Sequence, residues 1–213
     1  MNRKTAFLIC STVLLSTNIS ILTRIYADDK QITHTNKIID GSEESLMNET
    51  IESTQPNHSV ICNQNGGTVT LDQNTLVKSG DSINTDGTNS IVFTTGSSFT
   101  KIDQSDLQST SKGSSGIVAN EKAMVYANDS TIMTSNDSSN GLEAVSSGQI
   151  IANQMDITTQ GNQSAAVNVK QNDGSISLTN SILSTDGNDA PLLHANGTIE
   201  ADNVSGNASH SKI

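Results

Sequence analysis

The sequence predicts an all-β protein, a right-handed parallel β-helix of about six coils, and three features of the chain support this prediction. Apolar residues recur with a period near 25 residues, which is typical of stacked repeat architectures. Residues that favour turns over helices, namely Ser, Thr, Asn, Asp and Gly, dominate the composition. Each period also holds three short β-like stretches without helical spacing. The recurring apolar positions are Leu107, Ile132, Ile157 and Ile182.

The unit that begins at Gly141 shows the predicted coil most clearly. Leu142–Val145 is its first stretch, Gln149–Ala152 its second and Ile157–Thr159 its third, with turn residues between them. In a parallel β-helix each strand pairs with its copy in the next coil, about 4.8 Å away, so equivalent apolar residues stack inside. The six predicted units start near Val60, Ser90, Gly116, Gly141, Ala166 and Pro191.

Asp and Asn residues repeat with nearly the same period. Asp103, Asn128 and Asn153 are 25 residues apart, and Asn180 and Asn203 follow with a slight slip. Asn side chains at equivalent turns stack and hydrogen-bond to one another along the coil axis. We therefore expect an Asn ladder at one corner of the coils.

Three other interpretations of the repeat are weaker. A β-propeller blade needs about 40–45 residues, and a leucine-rich repeat needs a Leu-x-x-Leu-x-Leu pattern that this chain lacks. Full disorder is the strongest competitor, because hydrophobic residues make up only 33% of the chain and such polar chains often bury too little apolar surface to fold. Disorder does not explain a shared register, however, so the β-helix is the better interpretation.

Residues 1–27 have the pattern of a secretory signal peptide. Arg3 and Lys4 give a basic start, a short apolar run follows, and Ala27 provides a small residue at the cut. The apolar run is shorter than the roughly 20 residues that span a bilayer. We therefore expect export, and no transmembrane segment in the mature chain.

The rest of the chain divides into two predicted segments. Residues 28–59 are polar, acidic and without period, so we expect a flexible leader or an N-terminal cap over the first coil. A short amphipathic helix around residues 45–51 is one option, because Leu46 and Ile51 lie nearly a turn and a half apart. Residues 60–213 hold the parallel β-helix repeats.

The charge and cysteine content of the mature chain exclude some partners. After residue 27 the chain has eight Lys, no Arg and 22 Asp plus Glu, which gives a formal charge of −14. Such a surface repels phosphate backbones, so nucleic-acid binding is not expected. Cys62 is then the only cysteine, so no intrachain disulfide can form, and we expect it to fill space as a small apolar side chain.

The residues predict a non-enzymatic protein. A β-helix lyase typically needs a basic residue, commonly Arg, beside acidic calcium ligands, and a glycoside hydrolase needs two converging carboxylates. Asp156, Asp186 and Asp202 fall in different parts of their units, so no cluster is expected. The aromatic residues that could form a sugar platform are only Phe93, Phe99 and Tyr126. We assign no catalytic residue.

Metal and cofactor sites are not expected either. His34, His58, His194 and His210 are far apart in the sequence and none has a partner at ligand spacing. The Asp-Gly pairs at residues 86–87 and 186–187 are better explained by ordinary turn chemistry than by calcium binding. We therefore assign no metal-binding and no cofactor-binding residue.

The repeats follow the pattern Gly-Leu/Ile-x-Ala, then Gly-x-Ile-x-Ala-x-Asn, then Ile-x-Thr-x-Gly. The best copies are Gly141–Ala144, Gly148–Asn153 and Ile157–Gly161. Over residues 60–205 the chain resembles the β-helical passenger region of bacterial autotransporters, of the pertactin-like kind. The resemblance implies export, display on or release from the outer membrane, and a role in adhesion or virulence. The family also carries a C-terminal translocator barrel of alternating strands, and the residues after Pro191 lack that pattern.

These observations lead to a functional expectation with two alternatives. We expect an exported, truncated passenger-like β-helix at the cell surface, outer membrane or extracellular space, or in the periplasm if the barrel is absent. Its expected partners are host cell-surface or matrix components, and an open last coil would permit end-to-end association. The alternatives are a carbohydrate-active β-helix enzyme, which a convergent acidic groove would favour, and a purely structural envelope protein.

Overall fold

The computed structural model describes residues 31–33, 36–82 and 87–210, and every regular element in these ranges is a β-strand. The predicted signal peptide lies outside the described residues. Within the described part, 22 short strands form three sheets that stack as a parallel β-solenoid. The predicted all-β parallel solenoid is therefore confirmed.

Each coil contributes one strand to sheet B, then one to sheet C, then one to sheet A. Sheet A contains β1 (Gln31–Thr33), β4 (Glu49–Ser53), β7 (Thr75–Lys78), β10 (Asp106–Ser109), β13 (Thr131–Thr134), β16 (Asp156–Thr159), β19 (Ile182–Thr185) and β22 (Ser205–Ala208). Sheet B contains β2 (Lys37–Asp40), β5 (Ile61–Gln64), β8 (Val92–Thr94), β11 (Ile117–Ala119), β14 (Leu142–Ala144), β17 (Val167–Val169) and β20 (Leu193–Ala195). Sheet C contains β3 (Glu43–Met47), β6 (Thr68–Asp72), β9 (Phe99–Asp103), β12 (Met124–Asn128), β15 (Gln149–Asn153), β18 (Ser175–Thr179) and β21 (Thr198–Asp202). The coils are numbered from coil 1 (β2–β4) to coil 7 (β20–β22).

Coil 1 corrects the prediction for residues 28–59. The sequence predicts a leader or cap there, but the described part of this segment holds a complete coil, so the solenoid has about seven coils instead of six. The optional helix around residues 45–51 is wrong, because these residues belong to β3, a turn and β4. Each strand of coil 1 supplies one buried apolar side chain, namely Ile39, Leu46 and Ile51. The acidic residues between them concealed this alternation in the sequence.

The predicted register is right for the central coils and wrong for the last position. Leu107 pairs with Ile132, and Ile132 pairs with Ile157, at the predicted spacing. Ile157, however, pairs with Leu183, and Ile182 is 57% exposed. The connection between β17 and β18 has one residue more than that between β14 and β15. This extra residue moves the inward-facing position from 182 to 183.

The interior of the solenoid consists mostly of apolar ladders, whereas one inward-facing position of sheet A is polar and holds Ser109, Thr134 and Thr159 in successive coils. In one apolar ladder each residue lies opposite the next in sheet C, and its members are Leu71, Ile102, Ala127, Ala152 and Leu178. All five are at most 1% exposed. Burying one Leu or Ile side chain stabilises a fold by about 1.5–3 kcal/mol, so a coil with few apolar residues still gains from placing most of them inside.

Coil 7 is more exposed than the coils before it in the described part of the chain. The side chains of β20 and most of those of β21 and β22 are exposed. Leu192, Ile199 and Val204 are half-buried against the core. The expected exposure of this coil is present, whereas association with another chain stays a prediction.

The predicted Asn ladder is confirmed at the turn between sheets C and A. Asn128 Nδ2 donates to Asp103 Oδ1 at 2.9 Å, and Asn153 Nδ2 donates to Asn128 Oδ1 at 2.8 Å. Further along, Asn180 Nδ2 donates to Asn153 Oδ1 at 2.9 Å, and Asn203 Nδ2 donates to Asn180 Oδ1 at 2.7 Å. One residue of this turn has a left-handed backbone in every coil, which Asn and Asp tolerate better than most residues. These residues are Asn48, Gln73, Gln104, Asp129, Gln154, Asn180 and Asn203.

Candidate functional site

The longest connections of the coils lead into sheet B. They have seven residues at 54–60, 110–116, 135–141, 160–166 and 186–192, and 13 residues at 79–91, of which 83–86 lie outside the described part. Connections from sheet B to sheet C have two to five residues, and those from sheet C to sheet A have one or two. Long connections have enough length to fold back over a neighbouring sheet, so the outer face of sheet B is where a concave site is expected.

These connections cover the outer face of sheet B. Side chains alternate between the two faces of a strand, so the central residue of each three-residue strand faces outward. Gly87 lies directly over two of these outward-facing residues, Val118 and Phe93. A Cβ at Gly87 would lie 2.9 Å from Val118 and 3.4 Å from Phe93, so only glycine fits at this close approach. The φ of Gly87, +87°, also favours glycine. The outward-facing residues of coils 3 to 7 are Phe93, Val118, Glu143, Asn168 and His194. The first four are at most 7% exposed, and His194 is exposed.

A groove of about 490 Å³ follows this face from Gly87 to His194. One side of the groove is a row of turn residues with left-handed backbone, one from each of four successive connections. The row is held by backbone hydrogen bonds between coils, such as the one from Gln163 N to Asn188 O at 2.9 Å. Lys170 lies at the opposite end of the strands, just after β17. The row consists of Gly113, Ser138, Gln163 and Asp189, all of which line the groove.

Glu143 is the central charged residue of the groove, and it is only 1% exposed. Its Oε2 accepts hydrogen bonds from Ser115 Oγ at 2.8 Å and from Asn140 Nδ2 at 2.7 Å. Its Oε1 forms an ion pair with Lys170 Nζ at 2.6 Å and accepts no hydrogen bond from any other described residue. A carboxylate this deeply buried needs such partners, because its desolvation is otherwise very unfavourable. Ser115, Glu143 and Lys170 belong to three successive coils, so one side chain links all three.

The second polar pair of the groove lies one coil further on. His194 Nδ1 is 2.9 Å from Asn168 Oδ1. Because an amide oxygen only accepts, this contact requires a proton on Nδ1. Asn168 is 7% exposed, whereas the Lys170 side chain is 34% exposed. The groove therefore presents amide, hydroxyl, ammonium and imidazole groups in a row along the solenoid.

The structure places the histidines and aspartates considered in the sequence at separate points. His194 lines the groove, whereas His58 contacts a backbone carbonyl and His210 contacts Asp186. Hydrogen bonds from Ser209 and His210 hold the pKa of Asp186 below its usual value. His34 lies outside the described residues. Among the residues that the structure describes, no group of three or more His, Cys, Asp or Glu could hold a metal ion.

The three aromatic residues of the repeats lie on two outer faces. Phe99 and Tyr126 lie on neighbouring strands of sheet C, with ring centroids 6.5 Å apart. Phe93 lies under Gly87 in sheet B. Cys62 pairs with Phe93 on the neighbouring strand of sheet B. Burial raises the pKa of the Cys62 thiol, and the nearby negative charge of Asp40 raises it further. None of these four lines the groove.

Sequence reasoning missed Glu143, Asn168 and Lys170. A signal was present, because Glu143 stands between two inward-facing apolar residues at a position where the previous coils have Phe93 and Val118. A charged residue at an otherwise apolar repeat position indicates a special local environment. The burial of that position depends on the connections over it, which the periodicity does not reveal.

A buried lysine lies outside the groove, where sheet A meets the longest connection. Lys78 is fully buried, and its Nζ donates to Gln55 O at 2.9 Å and to Gly80 O at 2.6 Å. Burial lowers the pKa of Lys78 to about 8, against the opposing effect of the Asp81 charge. The Asn89 side chain donates to the same Gly80 carbonyl at 2.9 Å. Lys78 therefore fixes the base of the connection that covers Val118.

Comparison of this chain with known proteins identifies no relative. No protein-family model, curated protein or solved structure matches this chain. Within the described ranges, no helix is long and apolar enough to cross a membrane. A functional hypothesis therefore depends on the sequence pattern and on the geometry of the groove.

Proposed function

We propose that this chain is an exported, non-enzymatic β-solenoid of the autotransporter-passenger kind that acts in adhesion or host contact. The groove on sheet B is its ligand-binding surface in this proposal. The observation that carries it is a concave, polar groove that extends over successive coils and is lined by side chains from each of them. The signal-like residues 1–27 and the repeat pattern support export and surface display.

The hydrogen bonding of Glu143 favours binding over catalysis. Both of its oxygens are occupied by Ser115, Asn140 and Lys170. A general acid or base must reach its substrate within about 2.6–3.2 Å, and this carboxylate already uses that space for internal partners. Its role in the proposal is to hold three coils and Lys170 in position.

The repeated polar surface suits weak contacts that add together. Linked weak sites gain affinity through effective concentration, without stronger individual contacts. The formal charge of −14 after residue 27 disfavours anionic lipids and nucleic acids. The proposed partners are therefore neutral or cationic components of a host cell surface or matrix.

The carbohydrate-active enzyme remains the second candidate because Glu143 and Asp189 line the same groove. Hydrolysis would require one of these carboxylates to act as an acid and the other as a base or nucleophile. Incubation with polysaccharides and measurement of new reducing ends would identify this activity. Release of products would replace the non-enzymatic proposal.

Binding of the exported chain to host cells and immobilised matrix tests the proposed function. His194→Trp places a bulky side chain in the groove at an exposed position, and we expect it to lower binding by about tenfold or more. Met133→Trp is the matched control, because Met133 is 46% exposed on sheet A. Equal binding of the two variants would show that the groove is not the contact surface. Absence of binding by the unmodified chain would favour a structural envelope protein.

A further inference from the structure

We infer that the groove on sheet B binds a neutral, linear oligosaccharide that lies parallel to the solenoid axis. This inference rests on the proposed function, since it names the ligand class of the same surface. It follows from the spacing, charge and hydrogen-bonding chemistry of the lining residues and from the pairing of the strands beneath them.

The spacing of the lining residues matches an extended ligand. Equivalent residues of successive coils lie about 4.8 Å apart, and the groove is lined by connections from Gly87 to Asp189. Five such connections span about 19 Å along the axis at that spacing. A ligand that offers similar polar groups at regular intervals can contact each coil in the same way. A linear oligosaccharide has this property.

The charges of the groove favour a neutral ligand. Glu143 and Lys170 compensate each other at 2.6 Å. Asp189 is an exposed carboxylate on the side of the groove, so an anionic sugar would be repelled there. A cationic ligand would meet the ammonium group of Lys170 in the same groove, so of the neutral or cationic partners proposed above we infer the neutral class.

The hydrogen-bonding groups fit hydroxyls. Ser138 and Gln163 line the groove with a hydroxyl and a planar amide, which both donate and accept, and sugar hydroxyls do the same. Pro191, which is partly exposed, supplies a small apolar surface in the same groove, against which the C–H face of a sugar ring can pack. Such a combination of apolar surface and a few placed polar groups is typical of small-ligand sites.

A peptide fits this groove less well. Peptides that bind to sheets usually add a strand to an open edge, but β14 and β17 are paired on both sides. The groove also lacks, among its described lining residues, the large apolar side chains that would anchor a peptide. The strand arrangement therefore favours a ligand recognised by side chains alone.

The test uses two glutamines with the same backbone conformation in neighbouring turns of the chain. Gln163 has φ of 55° and lines the groove, whereas Gln154 has φ of 54° and lies at the turn between sheets C and A. Gly replaces either residue without backbone strain. Binding of cellohexaose, maltohexaose and mannohexaose is measured by ligand-observed NMR and calorimetry, with a galacturonic acid hexamer and a neutral hexapeptide as competitors of other classes.

We expect at least one neutral hexasaccharide to bind with Kd below about 10 mM, and Gln163→Gly to weaken it about tenfold. Gln154→Gly should leave the affinity unchanged. No binding of any neutral hexasaccharide, preference for the anionic hexamer or peptide, or equal effects of the two variants would overturn the inference. If host-cell binding depends on the groove but no neutral hexasaccharide competes for it, the proposed function stands and only the ligand class is wrong.

Discussion

The outer faces of sheets B and C come from the same coils but have opposite character. On sheet C the outward-facing Met124 and Tyr126 are 37% and 45% exposed. On sheet B the outward-facing Val118, which belongs to the same coil, and Glu143, which belongs to the next coil, are both buried. The inner faces of both sheets are apolar in this coil, with Ile117 of sheet B and Val125 of sheet C fully buried. The difference therefore arises outside the core.

The length of the connections explains this difference. Two to five residues lead into sheet C, which is enough to turn the chain but not to cover a neighbouring face. From coil 2 onward, seven residues or more lead into sheet B, and some of their side chains reach back to Glu143, as Ser115 and Asn140 do. A solenoid can thus build a flat platform and a groove from one repeat by changing only the length of its turns.

The largest expected effect comes from placing the same charge on both faces. Val118→Asp buries a carboxylate without a partner and should lower the free energy of unfolding by about 4 kcal/mol or more. Met124→Asp places it in solvent and should change stability by less than about 1 kcal/mol. Urea denaturation of both variants measures the difference.

A pair of milder substitutions at the same two positions keeps this comparison testable if Val118→Asp does not fold. Val118→Thr adds one hydroxyl to the buried position and should cost about 1–2 kcal/mol, whereas Met124→Thr should be close to neutral. Similar losses for the two threonine variants would contradict the assigned difference between the faces.

An intermediate effect on stability is expected when the ion pair between Glu143 and Lys170 is broken. Lys170→Ala leaves Glu143 buried with only Ser115 and Asn140, and should destabilise the fold by about 2–3 kcal/mol, less than for a fully buried pair because Lys170 is partly exposed. Lys101→Ala on sheet C is the control and should be nearly neutral. Adding Glu143→Gln to Lys170→Ala should restore part of the loss, and a double-mutant cycle measures it. If Lys170→Ala lowers the free energy of unfolding only as much as Lys101→Ala does, the Glu143–Lys170 pair is not a buried ion pair.

The smallest expected effect is a pH dependence from Lys78, at the base of the longest connection. Its pKa is about 8 in the folded state, below the ordinary 10.5 of the unfolded chain. Between these pH values the unfolded chain binds more protons, so the free energy of unfolding should rise with pH, by at most about 1.4 kcal/mol per pH unit for this single group.

Denaturation at several pH values between 7 and 10.5 measures this slope against Lys78→Met, in which it should be absent. Lys112→Met, at an exposed position, should keep the slope of the unmodified chain. A slope that survives in Lys78→Met would assign it to other groups.

Much of the fold could be predicted from the sequence because stacking imposes a register. Equivalent positions of neighbouring coils face the same interior, so Leu107, Ile132 and Ile157 had to be alike, and Asn128 and Asn153 could bond to each other. The prediction failed where one residue was inserted before β18, since a single extra residue exchanges inward and outward positions. It also failed at coil 1, where acidic outward-facing residues concealed the inward apolar ones.

The candidate site could not be predicted for a different reason. Glu143 is two residues before Val145 in an ordinary β-like stretch, and Lys170 follows a similar stretch one coil later. Their contact depends on parallel pairing of β14 with β17 and on the connections that exclude water. These are properties of the assembled coils, so no local motif marks them.

The link that Glu143 makes across three coils also affects how the solenoid opens. In repeat proteins each unit contacts only its neighbours, and stability is approximately a sum of unit and interface terms. Ser115, Glu143 and Lys170 join two successive interfaces through a single side chain. Coils 4 to 6 should therefore exchange their amide protons together, with one common opening free energy, while coils outside this group open on their own.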